Sequence, residues 1–150
     1  MNEKGKYLAL GSDHAGFHLK ESVHKFLIAS GYSVKDYGCY SVDSVDYPDV
    51  IHPLAADVDS GKFERAIIIC GSGIGVSMVA NKYPGVRAAL CCDRGKVELC
   101  RLHNDANVLA LGARYLTEKQ AFEMIDVFLN TEFEGGRHKA RVVKIAIPKE

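Results

Sequence analysis

Cys70-Gly71-Ser72-Gly73-Ile74-Gly75 places a thiol, a hydroxyl and three glycines within six residues. Glycines at alternate positions permit positive φ and remove the Cβ atoms that would keep a ligand from the backbone. Successive N–H groups can then converge on an anion. Two anions suit such a nest: a phosphate, or the enediolate oxyanion formed when a proton leaves a carbon beside a carbonyl. A tight strand-to-helix turn without a ligand would use the same glycines. Cys70 has two readings as well. It is a small buried hydrophobe ending a strand, or a thiol beside an anion nest that acts as nucleophile or general base.

Two specialised uses of this loop fail on spacing. A cysteine-led phosphate loop of the low-molecular-weight tyrosine phosphatase kind needs an arginine six residues after the cysteine, and Val76 stands there. The glycines do not follow Gly-x-Gly-x-x-Gly, although Asp93 lies about 20 residues on, where a ribose-binding acid would stand.

Other polar clusters punctuate the chain. Asp13-His14 follows an early apolar run and reads either as a helix cap with a neighbouring histidine or as part of a site. His103-Asn104-Asp105 falls at a predicted helix end, where a histidine is also favoured by the dipole. Gly112-Ala113-Arg114 follows a later apolar run. In Gly135-Gly136-Arg137-His138, Arg137 stands four residues before Arg141, which puts two guanidiniums on one helix face. That arrangement suits a phosphate, and equally a solvated basic face. A zinc reading of Cys91, Cys92, Cys100 and His103 finds no recognised ligand spacing.

The elements that must position these groups alternate along the chain. Strands are predicted at residues 7–10, 32–36, 66–70, 86–91 and 108–111, and helices at 15–30, from 49 or 50 to 61, 74–82, 96–103, 117–130 and from 137. Residues 66–70 are apolar throughout, as in a strand buried on both faces. Thr117 and Gln120 form a capping-box pattern. This alternation predicts an α/β fold, a three-layer α/β/α sandwich with a five-stranded parallel sheet of Rossmann-like type. Ligands bind such sheets at the carboxyl ends of the strands, where Ser12-Asp13-His14, the glycine loop, Asp93-Arg94 and Gly112-Ala113-Arg114 would gather.

Composition narrows the partners. A length of 150 residues predicts one domain over 1–150. Nineteen basic and nineteen acidic residues cancel, which argues against nucleic acid and membrane surfaces and for a small ligand met by a local cluster. No apolar run approaches the roughly 20 residues of a membrane span, and the polar start at 1–6 does not read as a signal peptide. Five cysteines without paired spacing read as reduced thiols of a cytoplasmic protein.

Five blocks in order resemble the B-type ribose-5-phosphate isomerases and the related galactose- and allose-6-phosphate isomerases. They are Gly11-Ser12-Asp13-His14-Ala15-Gly16-Phe17, Asp46-Tyr47-Pro48, Cys70 to Gly75, Arg101-Leu102-His103-Asn104-Asp105-Ala106-Asn107-Val108-Leu109 and Gly135-Gly136-Arg137-His138. The resemblance implies an aldose–ketose isomerase acting through a cis-enediolate, with no metal and no cofactor. It makes Cys70 the base, Ser72 the group that polarises substrate oxygens, His103 the ring-opening histidine and Asp13 a ligand to sugar hydroxyls. Gly71, Gly73, Ile74 and Gly75 would hold the enediolate by their backbone, Asn104 and Tyr47 would contact the sugar, and Arg114, Arg137 and Arg141 would reach the phosphate, with His14 and His138 as further contributors. Some members place a glutamate where this chain has Val76, so the chain fits a cysteine-base branch. The family pattern further implies a homodimer, with tetramers left open, in which the partner supplies His103, Asn104 and Arg114. A hexose 6-phosphate substrate stays open, as does a non-catalytic module that binds a phosphosugar or nucleotide.

Overall fold

The computed structural model describes residues 4–150, so the first three positions of the polar start lie outside the described residues. Five parallel strands form one sheet: β1 (Tyr7–Ser12), β2 (Ser33–Asp36), β3 (Ala66–Cys70), β4 (Ala88–Leu90) and β5 (Val108–Gly112). Their order is β2-β1-β3-β5-β4. Registers such as Leu10 beside Ile67 and Ile67 beside Leu109 bring the central strand ends level. Six helices connect or follow them: α1 (Phe17–Ala29), α2 (Tyr47–Asp59), α3 (Ile74–Ala80), α4 (Arg94–Leu102), α5 (Glu118–Asn130) and α6 (Arg137–Val143).

Strand periodicity sorts the core into two layers. Leu8, Leu10, Ile67, Ile69, Leu109 and Leu111 pack with Val23 and Leu27 of α1, Val97 of α4 and Ile125 and Phe128 of α5. The alternate residues Ala9, Ala66, Ile68, Cys70 and Ala110 pack with Ile51 and Leu54 of α2 and Val76 and Ala80 of α3. The α/β/α sandwich is therefore formed as predicted, with α1, α4 and α5 on one face and α2 and α3 on the other. Among the described residues no helix is long and apolar enough to cross a membrane.

Several boundaries differ from the periodicity reading. Helix α2 begins at Tyr47 rather than at 49 or 50, because Pro48 occupies the first turn, where its missing N–H costs nothing. Strand β4 is cut from 86–91 to Ala88–Leu90 at the sheet edge. Asp93 accepts the Lys96 N–H at 2.9 Å and starts α4 two residues early. Its carboxylate is thus a helix cap, and neither Asp93 nor Arg94 joins the cluster foreseen at the strand ends.

The capping box at α5 is formed as read: Thr117 Oγ1 accepts the Gln120 N–H at 3.1 Å and Gln120 Oε1 accepts the Thr117 N–H at 2.9 Å. This helix closes one face of the sheet, stacking Phe122 on Phe26 of α1 with ring centroids 4.4 Å apart. Thr117→Ala is expected to lower unfolding free energy by about 1 kcal/mol. Urea denaturation checks this, and an unchanged midpoint would count against the box.

Candidate active site

The chain leaves β1 for α1 and the neighbouring β3 for α3, and these helices lie on opposite faces of the sheet. A crevice opens at such a switch point, outside the carboxyl ends of the strands. It is a cleft of ≈400 Å³ lined by Asp13, His14, Tyr47, Cys70 to Ser72, Ile74, Gly75, Met78 and Arg114, among others.

Each wall has a local cause. Asp13 is buried, and its Oδ1 accepts the Gly16 N–H at 3.1 Å, capping the short 3₁₀ turn His14–Gly16. The cap reading of this residue is correct, and the same residue lines the cleft. His14 Nδ1 accepts the Val45 N–H at 3.2 Å. The neutral ring then carries its proton on Nε2, the nitrogen free to donate to a ligand. This pin from the 37–46 loop has no signature in the sequence.

Cys70 ends β3 and is 5% exposed. Its Sγ accepts the Gly73 N–H at 3.1 Å, while Ser72 Oγ accepts the Ile74 N–H at 3.2 Å. Two of the amides expected to form an anion nest are thus already engaged by the loop's own thiol and hydroxyl. Gly73 has φ +78°, and a Cβ there would stand 2.5 Å from Leu90 Cδ1 and 3.0 Å from the Leu111 carbonyl carbon. At Gly75 the constraint is the Tyr47 ring, 2.6 Å from a Cβ position. Helix α2 thereby lays Tyr47 across the loop. The Arg114 N–H donates to the Gly71 carbonyl at 3.1 Å, which sets this arginine in the cleft of its own chain. That corrects the expectation that Arg114 belongs to a partner's contribution.

The remaining expected residues do not line this cleft. Helix α4 starts at the carboxyl edge of the sheet and runs back for nine residues, about 13 Å at 1.5 Å per residue, to the amino edge. His103 caps its far end. There the imidazole stacks on that of His138, centroids 4.3 Å apart and planes 12° apart. Glu134, which the sequence reading passed over, places Oε2 3.8 Å from His103 Nε2 and 4.0 Å from His138 Nε2. Its backbone N–H donates to the Leu102 carbonyl at 3.1 Å. Arg137 and Arg141 are exposed on α6, and Asn104 lines a separate groove with Tyr83, Cys100 and Ile147. One chain thus holds two clusters at opposite edges of its sheet.

His138 is nearly buried, and its Nε2 has no hydrogen-bond partner. Burial is the first cause holding its imidazole below the usual histidine range; the charge of His103 adds to it, and Glu134 opposes it. His103, Glu134 and His138 have ligand-type atoms within 4.8 Å of one another, a spacing that could be considered for a metal. The two rings are nearly parallel, so their in-plane lone pairs do not converge on one point. The trio reads as an acid–base cluster.

The sequence matches the profile of a family described as Ribose/Galactose Isomerase over residues 8–145. It is 41% identical over 140 residues to ribose-5-phosphate isomerase B of Escherichia coli strain K12, covering 93% of this chain and 94% of that one. Its fold superposes on ribose-5-phosphate isomerase B of Clostridium thermocellum with a TM-score of 0.91 at 47% identity, covering 93% and 94% of the two chains. The Mycoplasma genitalium ribose-5-phosphate isomerase B, solved with bound ribulose 5-phosphate, superposes with a TM-score of 0.89 at 39% identity over 93% of both chains.

The two glycine contacts predict different outcomes. Gly73→Ala meets backbone as well as Leu90 and needs a left-handed conformation, so a loss of about 1–3 kcal/mol is expected. Gly75→Ala meets only the Tyr47 ring, which is 38% exposed and can swing away, so its loss is expected to be smaller. Denaturant titration of both variants checks this, and the reverse order would contradict it.

Proposed function

The chain belongs to the ribose/galactose isomerase family, and on that premise we propose its reaction: interconversion of D-ribose 5-phosphate and D-ribulose 5-phosphate. The observation that carries the chemistry is the Cys70 sulfur at the switch-point cleft, beside Ser72, Asp13 and His14. Val76, where a glutamate base would stand, is fully buried in the core and has no group to move a proton.

Cys70, as thiolate, takes the proton from C2 of the open-chain aldose. The C–H electron pair forms the C1–C2 double bond and the carbonyl pair moves onto O1, giving a cis-enediolate. The O2 hydroxyl proton then passes to O1 through Ser72 Oγ. As the O2 electron pair forms the C2 carbonyl, the C1–C2 pair takes the proton back from the thiol at C1, leaving O1 as a hydroxyl and Cys70 as thiolate again. Ser72 polarises O1 and O2, and Asp13 holds a sugar hydroxyl. The loop amides now shared with Sγ and Oγ turn to the developing oxyanion and stabilise its charge. His14 Nε2, Tyr47 and Asn104 bind the substrate. Arg114, Arg137 and Arg141 hold the phosphate, whose binding energy is spent remote from the reacting carbons. Bound ribulose 5-phosphate in the Mycoplasma genitalium relative favours a pentose over a hexose phosphate.

His103, Asn104, Arg137, His138 and Arg141 reach a Cys70 cleft only if a second copy brings its amino-edge cluster to it. A homodimer with shared sites does this. Supporting it is the apolar surface at both places: Ile74 and Met78 at the cleft, Leu90 and Leu99 along the β4 side, and Val143, Ile145 and Ile147 after the arginines.

Isomerase turnover on ribose 5-phosphate, measured with chelator present, tests the reading. Cys70→Ala is expected to lose about 10²–10⁴-fold in turnover, the range of a positioned general base. Wild-type enzyme in deuterium oxide is expected to place deuterium at C1 of the ketose. Cys70→Ser retaining most of the wild-type rate would overturn the assignment of the base.

A further inference from the structure

Glu134 has no part in the reaction outlined above, yet it is built into the amino-edge cluster. Its backbone is tied to the end of α4 through the Leu102 carbonyl at 3.1 Å. Among the described residues it is the one carboxylate within 4.0 Å of either histidine ring. The groups facing the pair are His103 at the end of α4 and His138, Arg137 and Arg141 on α6. Nearby Arg101 is committed elsewhere, to Asp105 and to the carbonyls of Thr131 and Ala106.

This arrangement distinguishes the two histidines. His138 is nearly buried, lacks a hydrogen-bond partner at Nε2, and sits beside three potential cations; burial first, and those charges after it, favour its neutral form against the pull of Glu134. His103 is more open, lies flat on the His138 ring, and brings its Nε2 to 3.8 Å from Glu134 Oε2, against 4.0 Å for His138. A carboxylate at one nitrogen fixes the ring's orientation and tautomer, leaving Nδ1 for the substrate. The 3.8 Å separation exceeds a hydrogen bond, and a positioning role requires it to close when substrate binds, as catalytic contacts often tighten from free to bound enzyme.

We propose that Glu134 is a positioning residue for sugar-ring opening: it holds the His103 imidazole, with the His138 ring stacked behind it, for proton exchange with the ring and anomeric oxygens. The inference rests on the assignment of ring opening to His103. Its chemistry is confined to one substrate. An aldopentose 5-phosphate closes its 4-hydroxyl onto C1 and must be opened by a proton delivered to the ring oxygen and another removed from the 1-hydroxyl. A 2-ketopentose 5-phosphate has its 5-oxygen esterified and is already open.

The test compares Glu134→Gln, Glu134→Asp and His103→Asn in the full chain by two readouts: turnover of ribose 5-phosphate, and deuterium uptake from solvent into ribulose 5-phosphate. Glu134→Gln is expected to lose about tenfold or more in the first and less than about twofold in the second, as a loss of acid–base positioning confined to ring opening requires. Glu134→Asp recovers part of the first, and His103→Asn shows the same split as Glu134→Gln. Equal losses in both readouts, or no loss in either, would overturn the role of Glu134. A split in His103→Asn without one in Glu134→Gln overturns this proposal alone. A missing split in His103→Asn, with wild-type turnover intact, overturns the ring-opening assignment and with it this role.

Discussion

The direction of the chain in a parallel sheet governs everything else in this protein. Each strand delivers its carboxyl end to one edge, and each connecting helix must carry the chain back to the other. The residues after β1, β3 and β5 therefore gather as Asp13, His14, the glycine loop and Arg114. The same rule sends α4 away from them, so that His103 ends at the opposite edge. No rearrangement of side chains removes that separation. It follows from the polarity of one nine-residue helix.

Both edges are stiffened by polar groups placed on rigid elements. At the carboxyl edge, Asp13 caps the turn into α1 and the Val45 amide pins His14, while Tyr47 lies on Gly75. At the amino edge, Arg65 donates to the Phe128 and Leu129 carbonyls at 2.9 and 2.7 Å, and Arg101 donates to the Thr131 carbonyl at 3.0 Å. These buried guanidiniums satisfy the open carbonyls at the end of α5. They also fix the start of the segment that carries Glu134 to His103 and His138. Positioning of both clusters thus depends on helix ends and on the loops tied to them.

The fold was largely legible because apolar period and turn chemistry agree along the chain. Residues 66–70 and the Thr117–Gln120 pair were read at their true places. The polar stretch that ends at Pro48 reads as a loop that includes Tyr47, yet a proline in the first turn starts a helix. Asp93 looked like a ligand group because a cap and a binding acid share the same position after a strand. The site was legible as a set of residue types, and the family resemblance supplied the roles proposed for them. Its division between two edges was not, since sequence order hides helix direction until the sheet order is known. Nothing in the residue pattern showed that Arg114 lies in its own chain's cleft or that Glu134 faces two imidazoles.

The central claim is that a working site takes its carboxyl-edge half from one copy and its amino-edge half from another. Complementation tests it most directly. Cys70→Ala and His103→Asn variants, each with strongly reduced turnover alone, are unfolded together, refolded and assayed on ribose 5-phosphate. In a mixed dimer with shared sites, one site pairs an intact Cys70 with an intact His103, so random pairing restores about a quarter of wild-type activity. A mixture no more active than the average of its components, with mixed dimers formed, would contradict the account.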